Sequence, residues 1–202
     1  GQIALIESIS WLVVLALEIP WGLFTARVGY RASLLVCCGL YFVSKLVFWR
    51  ADSFGDFLAE RLLLSAVVAG LSGCDSACVC LCAGGQSQRA LGFYEAAGIA
   101  GLLAASVVFA LFLGQNYRLA ALLTAVSYGL AALAALVLPS LPAPPRQSAR
   151  AQLAALAAQL RAAPRFALFL VAGALLAEVC QFSTVFLSQL LWADRGFGPG
   201  AL

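Results

Sequence analysis

Apolar runs long enough to cross a lipid bilayer recur along this chain, and no other feature restricts its fold as strongly. About 30 Å of hydrocarbon takes about 20 helical residues at about 1.5 Å each. Six stretches meet that length approximately: Ile3 to Thr25, Ala32 to Trp49, Phe57 to Ala83, Leu91 to Leu113, Leu119 to Leu138 and Phe166 to Leu190. They lack the polar face of a soluble core helix and the period-two alternation of a barrel strand. Backbone amides in hydrocarbon need partners within their own segment, so helices are the expected form. Composition agrees, with 63% of residues hydrophobic and 10% charged, against roughly one quarter charged in ordinary soluble domains. The expected fold class is all-α, a polytopic transmembrane helical bundle whose partner is the lipid bilayer.

Charges between the runs set an orientation. The connections after the first, third and fifth runs carry Arg27, Arg31, Arg89, Arg146, Arg150, Arg161 and Arg165 with no acid among them. The opposite connections mix signs, with Arg50, Asp52, Asp56, Arg118, Asp194 and Arg195. Arginine-only loops belong on the cytoplasmic side, which puts Gly1 on the outer face. The net charge of +3 then reflects topology and gives no reason to invoke nucleic acid.

The segment 139–165 is longer than the other connections and opens with the breaker LPSLPAPPRQ. Within it, SARAQLAALAAQLRAA puts Leu153, Leu156 and Leu160 on one helical face and Arg150 and Arg161 elsewhere. This spacing predicts a short helix on the inner membrane surface, its leucines in the acyl boundary and its arginines toward anionic headgroups; a solvated linker is the alternative. The expected organisation is residues 1–138 as an N-terminal bundle of five spans, 139–165 as a cytoplasmic central loop, and 166–202 as one further span with an outer loop. Lacking methionine and starting almost inside an apolar run, the chain is expected to be a fragment truncated at both ends.

Glu18 to Ser33, EIPWGLFTARVGYRAS, joins the first two runs. Gly22 and Gly29 suit close approach and a tight reversal, Pro20 suits a bend, and Arg27 and Arg31 suit the headgroup level. Gly22, Arg27, Gly29 and Arg31 in GLFTARVGYR resemble the cytoplasmic signature of the major facilitator superfamily. The preceding EIPWG and the later SGCDSA, Ser72 to Ala77, are similar to sequences those transporters carry at the second and fourth family helices. The resemblance spans nearly the whole chain and implies the second to seventh helices of the family, with the first missing. It also implies alternating access by two rocking halves, and a cytoplasmic gate motif at Gly22, Arg27, Gly29 and Arg31. The signature's aspartate is Ala26 here and one basic position is Tyr30.

Charges inside a bilayer are costly unless paired or wet, so each is a functional candidate. Glu18, Asp75 and Glu178 are the deepest by position. Glu178 and Gln181 begin a polar stripe continued by Ser188, which is expected to line the substrate path or carry coupling. Glu18 and Asp75 lie near the implied inner gate, where structural pairing competes with a role on that path. Glu7, Lys45, Glu60 and Arg61 sit closer to the outer ends, where snorkelling or mutual pairing accounts for them. Glu95 is expected to be an interfacial or inner-gate group, close to Arg89. Gly70 and Gly73, and Gly98 and Gly101, suit close helix packing.

Cys74, Cys78, Cys80 and Cys82 cluster, with Cys37, Cys38 and Cys180 elsewhere. Without histidine, and with no usual ligand spacing, they are expected to be packing residues, and no metal or other cofactor is expected. No histidine, phosphate loop or soluble domain argues for an enzyme. The expected function is secondary active transport of a small-molecule solute in a cell membrane, multi-pass, of the bacterial inner-membrane kind, with a proton or sodium as candidate coupling ion. The alternative is a nontransporting membrane sensor or scaffold that keeps the transporter fold.

Overall fold

The computed structural model describes residues 2–114, 116–139, 141, 148–184 and 195. The side chains of Gln2, Ile3, Ala4, Ala149, Gln152, Leu153, Leu156, Gln181 and Phe182 lie outside that description. The described residues form helices and no strands: α1 (Gln2–Val28), α2 (Tyr30–Arg50), α3 (Phe54–Leu71), α4 (Cys74–Ala83), α5 (Ser87–Val108), α6 (Tyr117–Ala135), α7 (Ala149–Ala162) and α8 (Pro164–Phe182). A 3₁₀ turn, Gly84–Gln86, precedes α5, and a π-helical turn, Phe109–Leu113, extends it. The chain divides into two compact units, Gly1–Gln147 and Ser148–Leu202. Helices α7 and α8 both fall in the second unit.

Four described helical stretches are long and apolar enough to cross a membrane: Leu5–Val28, Tyr30–Arg50, Phe54–Leu113 and Tyr117–Ala135. The third would extend about 90 Å as one helix, about three times the hydrocarbon thickness. It is broken instead. The sequence suggests one span from Phe57 to Ala83, but α3 stops at Leu71 and α4 starts at Cys74. Gly73 between them has φ of +73°, a left-handed conformation that residues with a Cβ rarely adopt. Helical bonding resumes at once, with the Ala77 amide donating to the Gly73 carbonyl at 3.1 Å.

A second glycine makes the reversal between α1 and α2. Gly29 has φ of +86°, its amide donates to the Thr25 carbonyl at 2.8 Å, and its carbonyl accepts from the Ser33 amide at 3.1 Å. One residue thereby closes α1 and opens α2. Pro20 lies inside α1, which continues through it to Val28. At the other end, Ser53 and Asp56 form a reciprocal cap on α3: the Asp56 amide donates to Ser53 Oγ at 3.2 Å, and the Ser53 amide donates to Asp56 Oδ2 at 3.0 Å.

In the first unit α2 lies between α3 and α6, α1 packs chiefly on α3, and α5 packs on α4. The interior is built from small side chains, with Val67, Cys37, Ser33 and Ser44 fully buried. Close approach centres on Gly70, where a Cβ would lie 2.6 Å from Cys37 Sγ and 3.0 Å from the Trp21 ring. Gly129 of α6 holds a similar place against Phe42, at 3.0 Å. Gly22, Gly98 and Gly101 do not have the expected packing role among the described residues, since a Cβ on any of them would meet nothing within 4 Å. Large apolar side chains instead face outward, including Leu12, Leu15, Leu102 and Phe112.

In the second unit, Ser148 Oγ caps α7 by accepting from the Ala151 amide at 3.2 Å, and Pro164 starts α8, where its missing amide proton is not needed. The expected helix in this segment is present. Leu160 is exposed; Leu153 and Leu156 are among the side chains outside the description.

Candidate functional site

Two charged regions occupy opposite ends of the helices in the first unit. One surrounds the α3/α4 break. A cavity of about 330 Å³ there is lined by Glu18, Trp21, Gly22 and Thr25 of α1, Tyr30 of α2, Ala69 and Gly70 of α3, and Ser72, Gly73 and Cys74 at the break. Ser72 Oγ donates to Glu18 Oε1 at 3.3 Å, linking α1 to the interruption. Gly22 faces this open space. Its missing side chain therefore leaves room in the cleft.

Asp75 lies on the other side of the same break, in the first turn of α4, and does not line the cavity. Its Oδ1 accepts from the Ser76 amide at 2.6 Å and the Ser76 hydroxyl at 3.2 Å. Its Oδ2 accepts from the Tyr94 hydroxyl at 2.8 Å, which ties α4 to α5. The carboxylate also sits at a helix N-terminus, where the backbone dipole favours negative charge. Glu18 and Asp75, paired by the sequence argument, are therefore divided into a cavity wall and a helix-to-helix tether.

The four motif positions divide in the same manner. Gly29 makes the reversal, and Arg31 Nη2 donates to the Leu136 carbonyl at 3.0 Å, covering the exposed end of α6 with a cation as the helix dipole favours. Arg27 is exposed in the last turn of α1. Beside them Ser33 Oγ donates to Thr25 Oγ1 at 2.9 Å, with both residues buried. Ala26 is 4% exposed, so the position that the resemblance would assign to an aspartate is buried. Glu178 is exposed on α8 with no ion pair among the described residues. The helix of Gln181 is described but its side chain is not, and Ser188 lies outside the described residues. Glu95 is exposed, and Arg89 contacts the Phe93 ring at 5.8 Å.

The other charged region is the network Glu7, Arg61, Glu60 and Lys45. Lys45 Nζ lies 2.8 Å from Glu60 Oε1, with the two side chains 14% and 4% exposed. Arg61 Nη2 lies 2.9 Å from Glu7 Oε1, and its Nε is 3.9 Å from Glu60 Oε2. Lys45 also lies over the Tyr41 and Phe48 rings, and Tyr41 stacks on Tyr128 of α6 with centroids 4.1 Å apart. Pairing occurs as the sequence suggests; snorkelling does not describe Glu60, which is buried. A cavity of about 540 Å³ opens beside the network, between α1, α2 and α3.

Sequence inspection did not single this network out as a site, although a signal exists. Lys45 and Glu60 lie seven and eight residues from Asp52, the middle of the Ala51–Ser53 turn, and Thr25 and Ser33 each lie four residues from Gly29. Antiparallel helices joined by a short turn bring such positions to the same depth.

The cysteines are free, and Cys74 and Cys78 join Leu34 in a small core packed by Tyr30 and Leu71. Among the described residues no group of three or more histidine, cysteine, aspartate or glutamate side chains is arranged to hold a metal. Compared with known proteins, the chain matches no family model, no curated protein and no solved structure.

Proposed function

We propose that this chain belongs to a secondary transporter of the major facilitator kind, moving a small solute across a cell membrane by alternating access. The observation that carries this reading is the helix interruption at Ser72–Gly73 beside Glu18, in a cavity of about 330 Å³ within apolar helices of spanning length. Interrupted helices free backbone groups for a solute or ion, and a carboxylate at such a break is costly unless paired or wet, which makes Glu18 a candidate for binding or coupling. The loop arginines, the glycine reversal and the sequence resemblance support an arrangement with the Gly29 end cytoplasmic and the Lys45–Glu60 end outward. Glu178 and Gln181 are proposed for the substrate path, and a proton or sodium for coupling.

The test is uptake of a labelled solute panel by the full-length protein in proteoliposomes, with and without imposed proton and sodium gradients. Gradient-driven uptake that is lost in Glu18→Gln and Glu178→Gln supports the reading. Folded protein that moves no solute under either gradient overturns it.

One observation favours a second reading, a nontransporting sensor or scaffold. Ala26 is buried where the resemblance places a gate aspartate. If Ala26→Asp confers uptake on an otherwise inactive protein, the wild type is the scaffold. If the wild type transports, that reading fails.

A further inference from the structure

We infer that the cavity at the Glu7–Arg61 end of the first unit is a binding site for a zwitterion, an α-amino acid with an apolar or aromatic side chain. At about 540 Å³ the cavity falls within the range of small-molecule sites.

Its wall has an uneven charge structure. Glu60 is held by Lys45 at 2.8 Å with both side chains largely buried, and Asp52 is held by Arg118 at 2.9 Å. The Glu7–Arg61 pair differs because both of its partners line the cavity, whereas Lys45 and Arg118 do not, and its side chains, 24% and 42% exposed, are open to a ligand. Those two residues also line a second, smaller cavity of about 60 Å³ beside Ser10 and Trp11. The pair therefore stands in the wall common to both spaces, where a ligand can reach either partner. Arg61 Nη2 is the guanidinium nitrogen that pairs with Glu7, and Arg61 Nε is beyond hydrogen-bond distance of Glu60. With five N–H donors, the guanidinium keeps donors for another carboxylate.

Charge balance selects the ligand class. Each acid lining the larger cavity already has a basic partner. A bare cation or anion would add uncompensated charge among apolar helices, which is costly. A zwitterion adds none: its ammonium takes Glu7, its carboxylate takes Arg61, and one ion pair becomes two. Phe48 and Phe57, edge to face at 6.1 Å, line the same cavity with Phe54, an apolar wall for the side chain. The inference deepens the transport reading by naming a substrate class, and rests on that reading only for the solute's movement.

The experiment is equilibrium binding of labelled L-phenylalanine to the purified full-length protein in detergent, with no gradient present. Competitors are phenethylamine, which keeps only the ammonium, and 3-phenylpropionate, which keeps only the carboxylate. L-phenylalanine should bind saturably, and each competitor should be weaker by about tenfold or more, as for loss of one charge-assisted contact. Arg61→Gln should remove the advantage of L-phenylalanine over phenethylamine, and Glu7→Gln its advantage over 3-phenylpropionate. The wild-type ranking needs no variant to fold. Equal affinity for the three compounds, a different leading compound, or no saturable L-phenylalanine binding by folded protein overturns the site. Binding without uptake overturns the transport reading and leaves this one standing.

Discussion

Lys45 of α2 and Glu60 of α3 form an ion pair at 2.8 Å, with Glu60 only 3% exposed. Removing one partner of a buried pair strands the other charge, at about 3–5 kcal/mol. Lys45→Met should therefore lower stability by that order, measured as the unfolding midpoint of purified protein in detergent. Lys45→Met with Glu60→Leu should recover most of the loss, because the double change leaves no charge buried. A double variant no more stable than the single one would contradict this account.

Helices α1, α2 and α3 meet closely at Gly70. Gly70→Ala puts a methyl 2.6 Å from Cys37 Sγ and 3.0 Å from Trp21, and overpacking of this kind costs about 1–3 kcal/mol. Adding Cys37→Ala should restore part of that loss, since it removes the nearest obstructing atom. Thermal midpoints of the two variants and the wild type make the comparison.

The motif glycines should respond differently to the same change. Gly29→Ala must hold a side chain at φ of +86°, costing on the order of 1–2 kcal/mol. Gly22→Ala meets open space in a helix interior, where alanine is favoured by up to about 1 kcal/mol. Stability should fall in the first and hold or rise in the second. Any effect of Gly22→Ala on function would then come from filling the cleft beside Glu18.

Tyr94 holds α5 to α4 through its 2.8 Å bond to Asp75. Tyr94→Phe deletes that bond and keeps the ring, so global stability should change by about 1 kcal/mol. Amide exchange should quicken selectively in α5, which buries none of its side chains and packs on α4. Uniform acceleration across α1, α2 and α3 would refute a local tether.

Much of the helical layout was legible in the sequence because span length is a local property. Hydrocarbon thickness dictates run length, and Gly29, with Arg27 and Arg31 around it, marks a reversal without knowledge of the partner helices. The break at Gly73 was less legible. Ser72 and Gly73 sit in an apolar run where a glycine is equally compatible with close packing, and only the backbone angle distinguishes the two. Gly70, three residues earlier, has the packing role, while Gly98 and Gly101 meet nothing within 4 Å.

The sequence by itself determined an all-helical chain with repeated apolar stretches of spanning length, because periodicity and run length act within one segment. Tertiary structure decided which charges meet. Lys45 finds Glu60, Arg61 stands between Glu7 and Glu60, Asp75 takes Tyr94, and Glu18 turns to the α3/α4 break. Whether a charge carried on these apolar helices is neutralised, tethering or lining a cavity depends on the height and rotation of a neighbouring helix. That relationship arises only when α1, α2 and α3 pack together.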